Sequence, residues 1–280
     1  MVDSDDRWQP PDIASDPDDM TSSATTDSAM HALPTSELVN FRDLGGTPVE
    51  GGTIVSGALW RSDDVSLATE QDAQRLHEDG LADVLDLRSP HEAHVSGRGH
   101  LRQYPVSYHH LPMSATAAAP GMSPQAVSEL TPHGVGTWYV QIAEQTSRNI
   151  IRGIEIASVS TGAALFHCAA GKDRTGVFTA AVLSVLGAED DVIIADYART
   201  DPVMPQIMRR ISPMMQEVVR VHASPRLDPA AGGALFAAPA DTMATMLRVM
   251  AAEHGSLLDL LQSRGLASAT ITALRERVVQ

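Results

Sequence analysis

Among its 280 residues the chain has one cysteine and one lysine. A single thiol excludes an internal disulfide framework and any all-cysteine metal cluster, and it fits a reducing compartment. Nowhere does the sequence sustain the roughly 18 to 20 consecutive apolar residues that a membrane span requires. The opening "MVDSDDRWQP" lacks the basic n-region and apolar core of a secretory signal. The expected location is cytoplasmic, with signal-less export left open. Positive charge is scarce too. The formal net charge of −15 disfavours nucleic acid as a partner, because phosphate backbones are held by clustered Lys and Arg. Arginine outnumbers lysine 19 to 1. Ordinary positive charge is therefore supplied as arginine, and the lone lysine marks a site that wants a compact, flexible ammonium.

Residues 1–35 read as an acidic tail, and residues 36–280 as the folded domain. Positions 1–30 carry eight Asp against one Arg, a net of −7 that leaves −8 for the other 250 residues. Asp, Ser, Thr and Pro with few apolar anchors are the composition of a disordered segment. The 43% apolar content is ample for a buried core. "GGTIVSGALWRSD" (51–63) reads as a short strand after a Gly-Gly turn. Helical spacing of Leu67, Ala68, Ala73 and Leu76 predicts a helix over 66–80 that stops at Gly80. "LADVLDLRS" (81–89) is an apolar run expected as a buried strand, and "YPVSYHHLPM" (104–113) is a further strand. Residues 114–136, punctuated by Pro and Gly, are expected to be a surface insertion. A helix follows over 137–158, with room for a break near Ser147. "GAALFHC" (162–168) is a short strand. The helix of 175–190 is apolar nearly all round, hence buried, and ends at Gly187. Residues 191–280 alternate helical patterns with Pro and Gly breaks. Strands alternating with helices give an α/β class with a mainly parallel central sheet flanked by helices.

The two scarce residues meet in "FHCAAGKDRTG" (166–176). A strand ends at Cys168, five residues follow, then Arg174, and Thr-Gly opens a helix. Residues wrapped between a strand and a helix can turn their N–H groups toward one point, where the helix adds about half a positive charge. Such a nest binds phosphate, and here it surrounds a sulfur. A helix N-terminus and nearby cations favour the thiolate, so Cys168 is the expected nucleophile. Arg174 is expected to grip two phosphate oxygens and to stabilise the transition-state charge. Ala169, Ala170, Gly171, Lys172 and Thr175 complete the expected phosphate-binding set, with the Thr175 hydroxyl available to the departing sulfur. A lone cysteine is ordinarily a small buried hydrophobe, but the arginine six positions on and the glycine turn argue against that here. A nucleotide-binding loop needs G-x-x-x-x-G-K-[ST]. Phe166 stands where the first Gly belongs and Asp173 follows the lysine, so that reading fails twice. Sulfurtransferases also use a Cys-centred loop, but the Asp-Arg-Thr-Gly ending suits phosphate transfer better.

His167, Cys168, Gly171, Arg174 and Thr175 match HCxxGxxR[ST], and the stretch resembles the Cys-x5-Arg phosphatases. Together with "NFRDLGG" (40–46), "DLRS" (86–89), "DYART" (196–200) and "HGSLLDLLQSRGL" (254–266), it is similar to the mycobacterial protein tyrosine phosphatase B group of triple-specificity enzymes. The similarity runs from about residue 36 to the C-terminus. It implies a Cys-x5-Arg phosphatase fold and metal- and cofactor-free hydrolysis of phosphotyrosine, phosphoserine/threonine or phosphoinositides. It also implies that the general acid is the Asp inside the loop, Asp173. Asp86, at the end of the "VLDLRS" strand, is the competing acid; a structural carboxylate paired with Arg88 is its favoured reading. Lys172 is expected at the loop rim as a second cation for phosphate. His167 is expected to hydrogen-bond in the loop base, and it has no partner at metal-ligand spacing. Arg42 and Asp43 read as a structural salt bridge at a strand start. The Met-rich 203–219 is core packing by default, and its position corresponds to a helical lid in the resembled family. A dedicated phosphoinositide or inositol-phosphate phosphatase is the alternative enzyme. A non-catalytic phosphoprotein-binding module is the other, and the intact Cys168, Asp173 and Arg174 argue against it.

Overall fold

The computed structural model describes residues 35–113, 131–222 and 233–280. The acidic tail, and most of the expected insertion, lie outside them. In chain order the elements are β1 (Arg42–Asp43), β2 (Pro48–Val49), β3 (Gly52–Thr53), β4 (Leu59–Ser62), α1 (Glu70–Glu78), β5 (Leu81–Asp86), α2 (Pro90–Ser96) and β6 (Ser107–His110). Then come α3 (Pro132–Val159), β7 (Ala163–His167), α4 (Asp173–Val185), α5 (Asp190–Ala198), α6 (Met204–His222), α7 (Ala240–His254), α8 (Leu257–Ser263) and α9 (Ser268–Val278). The main sheet has the order β1-β4-β7-β5-β6. Only β1 runs antiparallel; β4, β7, β5 and β6 pair in parallel. The chain is therefore α/β with a mainly parallel central sheet flanked by helices.

β7 lies mid-sheet because both of its faces are apolar. Ala163 and Leu165 enter a core on one side with Leu76, Leu81, Val84 and Leu101. Ala164 and Phe166 enter the larger core on the other, with α3 and α4. Phe166 packs against Phe178 of α4 in a tilted pair with ring centroids 4.9 Å apart, tying the strand to the helix that follows it. A strand covered on both faces needs a continuous apolar run, and "AALF" supplies one.

Several boundaries differ from the sequence reading for local reasons. The strand expected over 51–63 is split into β3 and β4 by a turn in which Gly57 takes φ +81°. β5 ends at Asp86 instead of Ser89, because Ser89 caps α2. Its hydroxyl accepts from the Glu92 N–H, the Glu92 carboxylate accepts from the Ser89 N–H, and Pro90 opens the helix. α3 starts earlier than expected, capped by Thr131, and absorbs 132–136 of the expected insertion. It continues unbroken through Ser147, with the Thr146 and Ser147 hydroxyls satisfied on the helix's own carbonyls of Ile142 and Glu144. α1 and α4 end before Gly80 and Gly187, both at positive φ, as anticipated.

Candidate active site

The loop 168–173 leaves the carboxyl end of β7, where ligands bind in open α/β sheets. Its carbonyls are turned into the scaffold. The Ala169 carbonyl accepts from the Asp64 N–H at 3.0 Å. Asn40 Nδ2 donates to the carbonyls of Ala170 at 3.2 Å and Gly171 at 3.0 Å, and Arg61 Nη2 adds a bond to Gly171 at 2.8 Å. In a planar trans peptide the N–H points opposite the carbonyl. The N–H groups of Ala170, Gly171 and Lys172 therefore face the inner side of the loop. Gly171 is required at the turn: φ is +66°, and a Cβ there would stand 2.5 Å from the Ser62 carbonyl oxygen.

Cys168 opens this loop and is 1% exposed. Arg174, in the first turn of α4, sends Nη1 and Nη2 to the two carboxylate oxygens of Glu92 at 2.5 and 2.8 Å. Burial works against the charge on Arg174, but Glu92, with Cys168 and Asp173 close by, holds the guanidinium firmly protonated. In turn, Glu92 is brought down to about 2 in spite of burial, chiefly by Arg174 and by the Ser89 bonds of its capping box. α2 thus clamps the arginine from outside the loop. Asp173 Oδ1 accepts from the Tyr139 hydroxyl at 2.6 Å and lies 3.2 Å from Lys172 Nζ. Behind Tyr139, the Tyr197 hydroxyl stands at 2.9 Å. Lys172 corrects an expectation: it is fully buried instead of standing at the rim, with Nζ also donating to the Ala234 carbonyl at 3.3 Å. An ammonium is buried only where such partners compensate it.

Set against known proteins, residues 33–280 match the family model described as "Tyrosine phosphatase family". The chain belongs to the tyrosine phosphatase family. Triple specificity protein phosphatase PtpB of Mycobacterium tuberculosis is 27% identical over 265 residues, covering 84% of this chain and 95% of its own. A Cupriavidus necator protein assigned to the tyrosine-protein phosphatases is 32% identical over 180 residues, 61% of this chain and 63% of its own. The solved structure of P. aeruginosa TpbA superposes only in part, with a TM-score of 0.30 at 18% identity, covering 60% of this chain and 79% of that one.

Within this tyrosine phosphatase, Asp86, the competing acid, lies in a buried ionic cluster. It is fully buried, both oxygens face Arg88, and Tyr108 donates to it at 2.5 Å. Against the cost of burial, neighbouring positive charge and the hydrogen bonds from Arg88 and Tyr108 hold its carboxyl well below the usual carboxylate range. Arg88 spans Asp86 and Asp64, so the structural reading of Asp86 is the one its surroundings favour. Burial lowers the His167 pKa; its Nδ1 lies 3.3 Å from the Cys168 carbonyl oxygen. The Thr175 hydroxyl is buried and, among the described residues, has no hydrogen-bond partner, the Cys168 sulfur included. Arg42 pairs with Asp196 of α5 instead of with Asp43, whose carboxylate accepts from the turn amides of Gly45 and Gly57. α6 covers the expected lid stretch; Ile207, Ile211 and Met214 are buried, and Arg210 pairs with Asp63 at 2.9 Å. Among the described residues one cluster, Glu144, Glu253 and His254 on α3 and α7, gathers three potential ligand atoms within 4.8 Å, outside the loop.

Residue-type reasoning passed over Asn40, Arg61, Glu92, Tyr139 and Tyr197. Glu92 had a readable local signal, the S-x-x-E capping box, which says nothing of Arg174. Asn40 and Tyr197 sat inside the quoted motifs without an assigned role.

Proposed function

We propose that this tyrosine phosphatase hydrolyses phosphotyrosine through a cysteinyl-phosphate on Cys168, with phosphoserine/threonine and phosphoinositides as its wider substrate range. The wider range rests on the likeness to a relative named for triple specificity. One observation carries the reading. Successive loop carbonyls are bound outward by Asn40, Arg61 and Asp64, which turns the intervening amides to the opposite, inner side of the loop that Cys168 opens, with Arg174 anchored and Asp173 adjacent. Ala169, Ala170, Gly171, Lys172, Arg174 and Thr175 form the phosphate-binding set.

In the first step the Cys168 sulfur attacks phosphorus, the bond from phosphorus to the leaving oxygen breaks, and Asp173 gives that oxygen its proton. The inward amides and Arg174 hold the three equatorial oxygens, where charge accumulates. In the second step Asp173, now a carboxylate, takes a proton from water, the water oxygen attacks phosphorus, and the P–S bond breaks to release inorganic phosphate. This chemistry asks for no metal and no organic cofactor. Phosphate release from a phosphotyrosine peptide and from a phosphoinositide, by wild type and Cys168→Ser, tests the reading. Loss of turnover on both substrates in Cys168→Ser is expected. Residual turnover equal to wild type removes the nucleophile, and turnover of the phosphoinositide alone reassigns the substrate.

A further inference from the structure

Asp173 has two carboxylate oxygens, and its surroundings treat them differently. The Tyr139 hydroxyl donates to Oδ1 at 2.6 Å and Lys172 Nζ lies 3.2 Å from the same atom. Among the described residues no hydrogen bond reaches Oδ2. A phenol has a single proton. With the Tyr139 proton committed to Asp173, the 2.9 Å contact between the two phenols must run from Tyr197 to Tyr139. The relay therefore points one way, from Tyr197 to Tyr139 to Oδ1. Tyr139 is completely buried, and burial together with the nearby Asp173 carboxylate pushes its phenol well above the usual tyrosine value, so it stays a donor.

The packing around this relay leaves it little freedom. The Tyr139 and Tyr197 rings meet edge to face at 5.9 Å. Tyr197 comes from α5, Tyr139 from α3 and Asp173 from the start of α4, so three helices fix one carboxylate. Gly176 makes room for the arrangement: a Cβ there would stand 3.0 Å from Cδ2 and 3.2 Å from Cε2 of Tyr197.

Resting on the assignment of Asp173 as the acid, we infer that Tyr139, backed by Tyr197, is a positioning residue that reserves Oδ1 as an acceptor and places the transferable proton on Oδ2. A proton on Oδ1 would face a hydroxyl hydrogen and an ammonium. On Oδ2 it is free to reach the leaving oxygen. Tyr139 itself transfers no proton.

The test reads kcat/KM, which covers the steps up to departure of the leaving group, for a series of aryl phosphates running from 4-nitrophenyl to unsubstituted phenyl. Losing a proton donor slows departure of a basic leaving group more than that of a weakly basic one, so the dependence steepens. Tyr139→Phe is expected to lower kcat/KM about 10-fold for phenyl phosphate and less than about 2-fold for 4-nitrophenyl phosphate, a part of the roughly 100-fold or more that a general acid supplies. In the Asp173→Asn background, Tyr139→Phe is expected to add nothing. A uniform loss across the series, or a loss that multiplies with that of Asp173→Asn, overturns the inference and leaves the Asp173 assignment standing. If Asp173→Asn shows no leaving-group dependence, the acid assignment falls and the inference with it. Should Tyr139→Phe not fold, judged by its melting transition, Tyr197→Phe carries the same test. It keeps the bond to Asp173 and frees only the Tyr139 hydroxyl, so a smaller steepening is expected and a flat response overturns the inference.

Discussion

At the scale of single residues, the feature with the most consequence is that the guanidinium of Arg174 is oriented by a carboxylate from another helix. Glu92 spends one oxygen on two partners, the Ser89 amide at 2.7 Å and Arg174 Nη1. A bidentate carboxylate–guanidinium pair fixes the plane of the arginine as well as its position. Glu92→Gln keeps the shape and removes the charge. It is expected to lower kcat/KM about 10- to 100-fold, since charge-stabilising groups work only when held in place. Steady-state kinetics on a phosphotyrosine peptide checks this, with a preserved fold as the control. Stability should carry a matching pH signature. Glu92 sits at about 2 in the folded chain against a usual 4.5. A carboxylate depressed on folding adds stability that is complete above its unfolded value and fades as the pH drops through its folded one. The stability advantage of wild type over Glu92→Gln in denaturant unfolding should shrink as the pH falls from 4.5 toward about 2. Asp86 offers the contrasting case. Asp86→Asn strips Arg88 of one of its two buried counter-charges. It should cost about 3 to 5 kcal/mol in the same unfolding measurement, and leave the leaving-group dependence of the surviving activity unchanged.

At the scale of elements, what could be read from the chain was whatever local pattern decides. β5 and β7 announce themselves as short apolar runs, because a strand buried on both faces has no alternation to show. Gly80 and Gly187 mark helix ends because each must take positive φ. The loop itself was legible for the same reason: a strand, a glycine turn and a helix start are consecutive in sequence. What escaped was decided at a distance. β1, β2 and β3 are two residues each, too short for any periodicity. Asn40 lies 130 residues before the carbonyl of Ala170 that it holds. Glu92 lies 82 residues from Arg174, and nothing in either neighbourhood names the other. The glycine of "DRTG" belongs to this second kind. Alanine at 176 would gain about 1 kcal/mol of helix propensity. Against that stands the Tyr197 ring at 3.0 Å, and overpacking of this sort costs about 1 to 3 kcal/mol. The clash should win. Gly176→Ala is expected to melt below wild type, and to lose more activity on phenyl phosphate than on 4-nitrophenyl phosphate as Tyr197 moves. A melting temperature raised by the substitution would show that the ring yields freely.

At the scale of the whole molecule, the sheet, the helical layer and the loop share one buried ionic junction. Asp196, in α5, accepts from Arg42 Nε of β1 at 2.8 Å and makes a short contact with Arg61 Nη1 of β4. Arg61 continues to the Gly171 carbonyl at 2.8 Å, while Arg42 reaches Asn40, which binds the same carbonyl. Two guanidinium groups thus depend on one carboxylate. Burial and the adjacent Arg61 bring Arg42 down to about 10. For Asp196, the two arginines overcome the opposing effect of burial and keep it ionised. A buried pair of this kind is weak evidence for stability as such, because desolvation offsets most of the attraction. Breaking it is another matter. Asp196→Asn leaves two buried cations facing each other, so unfolding free energy should fall by about 3 to 5 kcal/mol. The same change should lower phosphatase activity well below the melting transition, since Arg61 loses the anchor from which it holds the loop carbonyl outward. The two readouts separate the roles. A large drop in stability with unchanged kcat/KM at low temperature would mean that the loop carbonyls stay held without Asp196 and that Asp196 serves the fold only. A loss in both, with Arg61→Lys showing the same activity defect and a smaller stability cost, places the junction in the chain of contacts that aims the amides at phosphate.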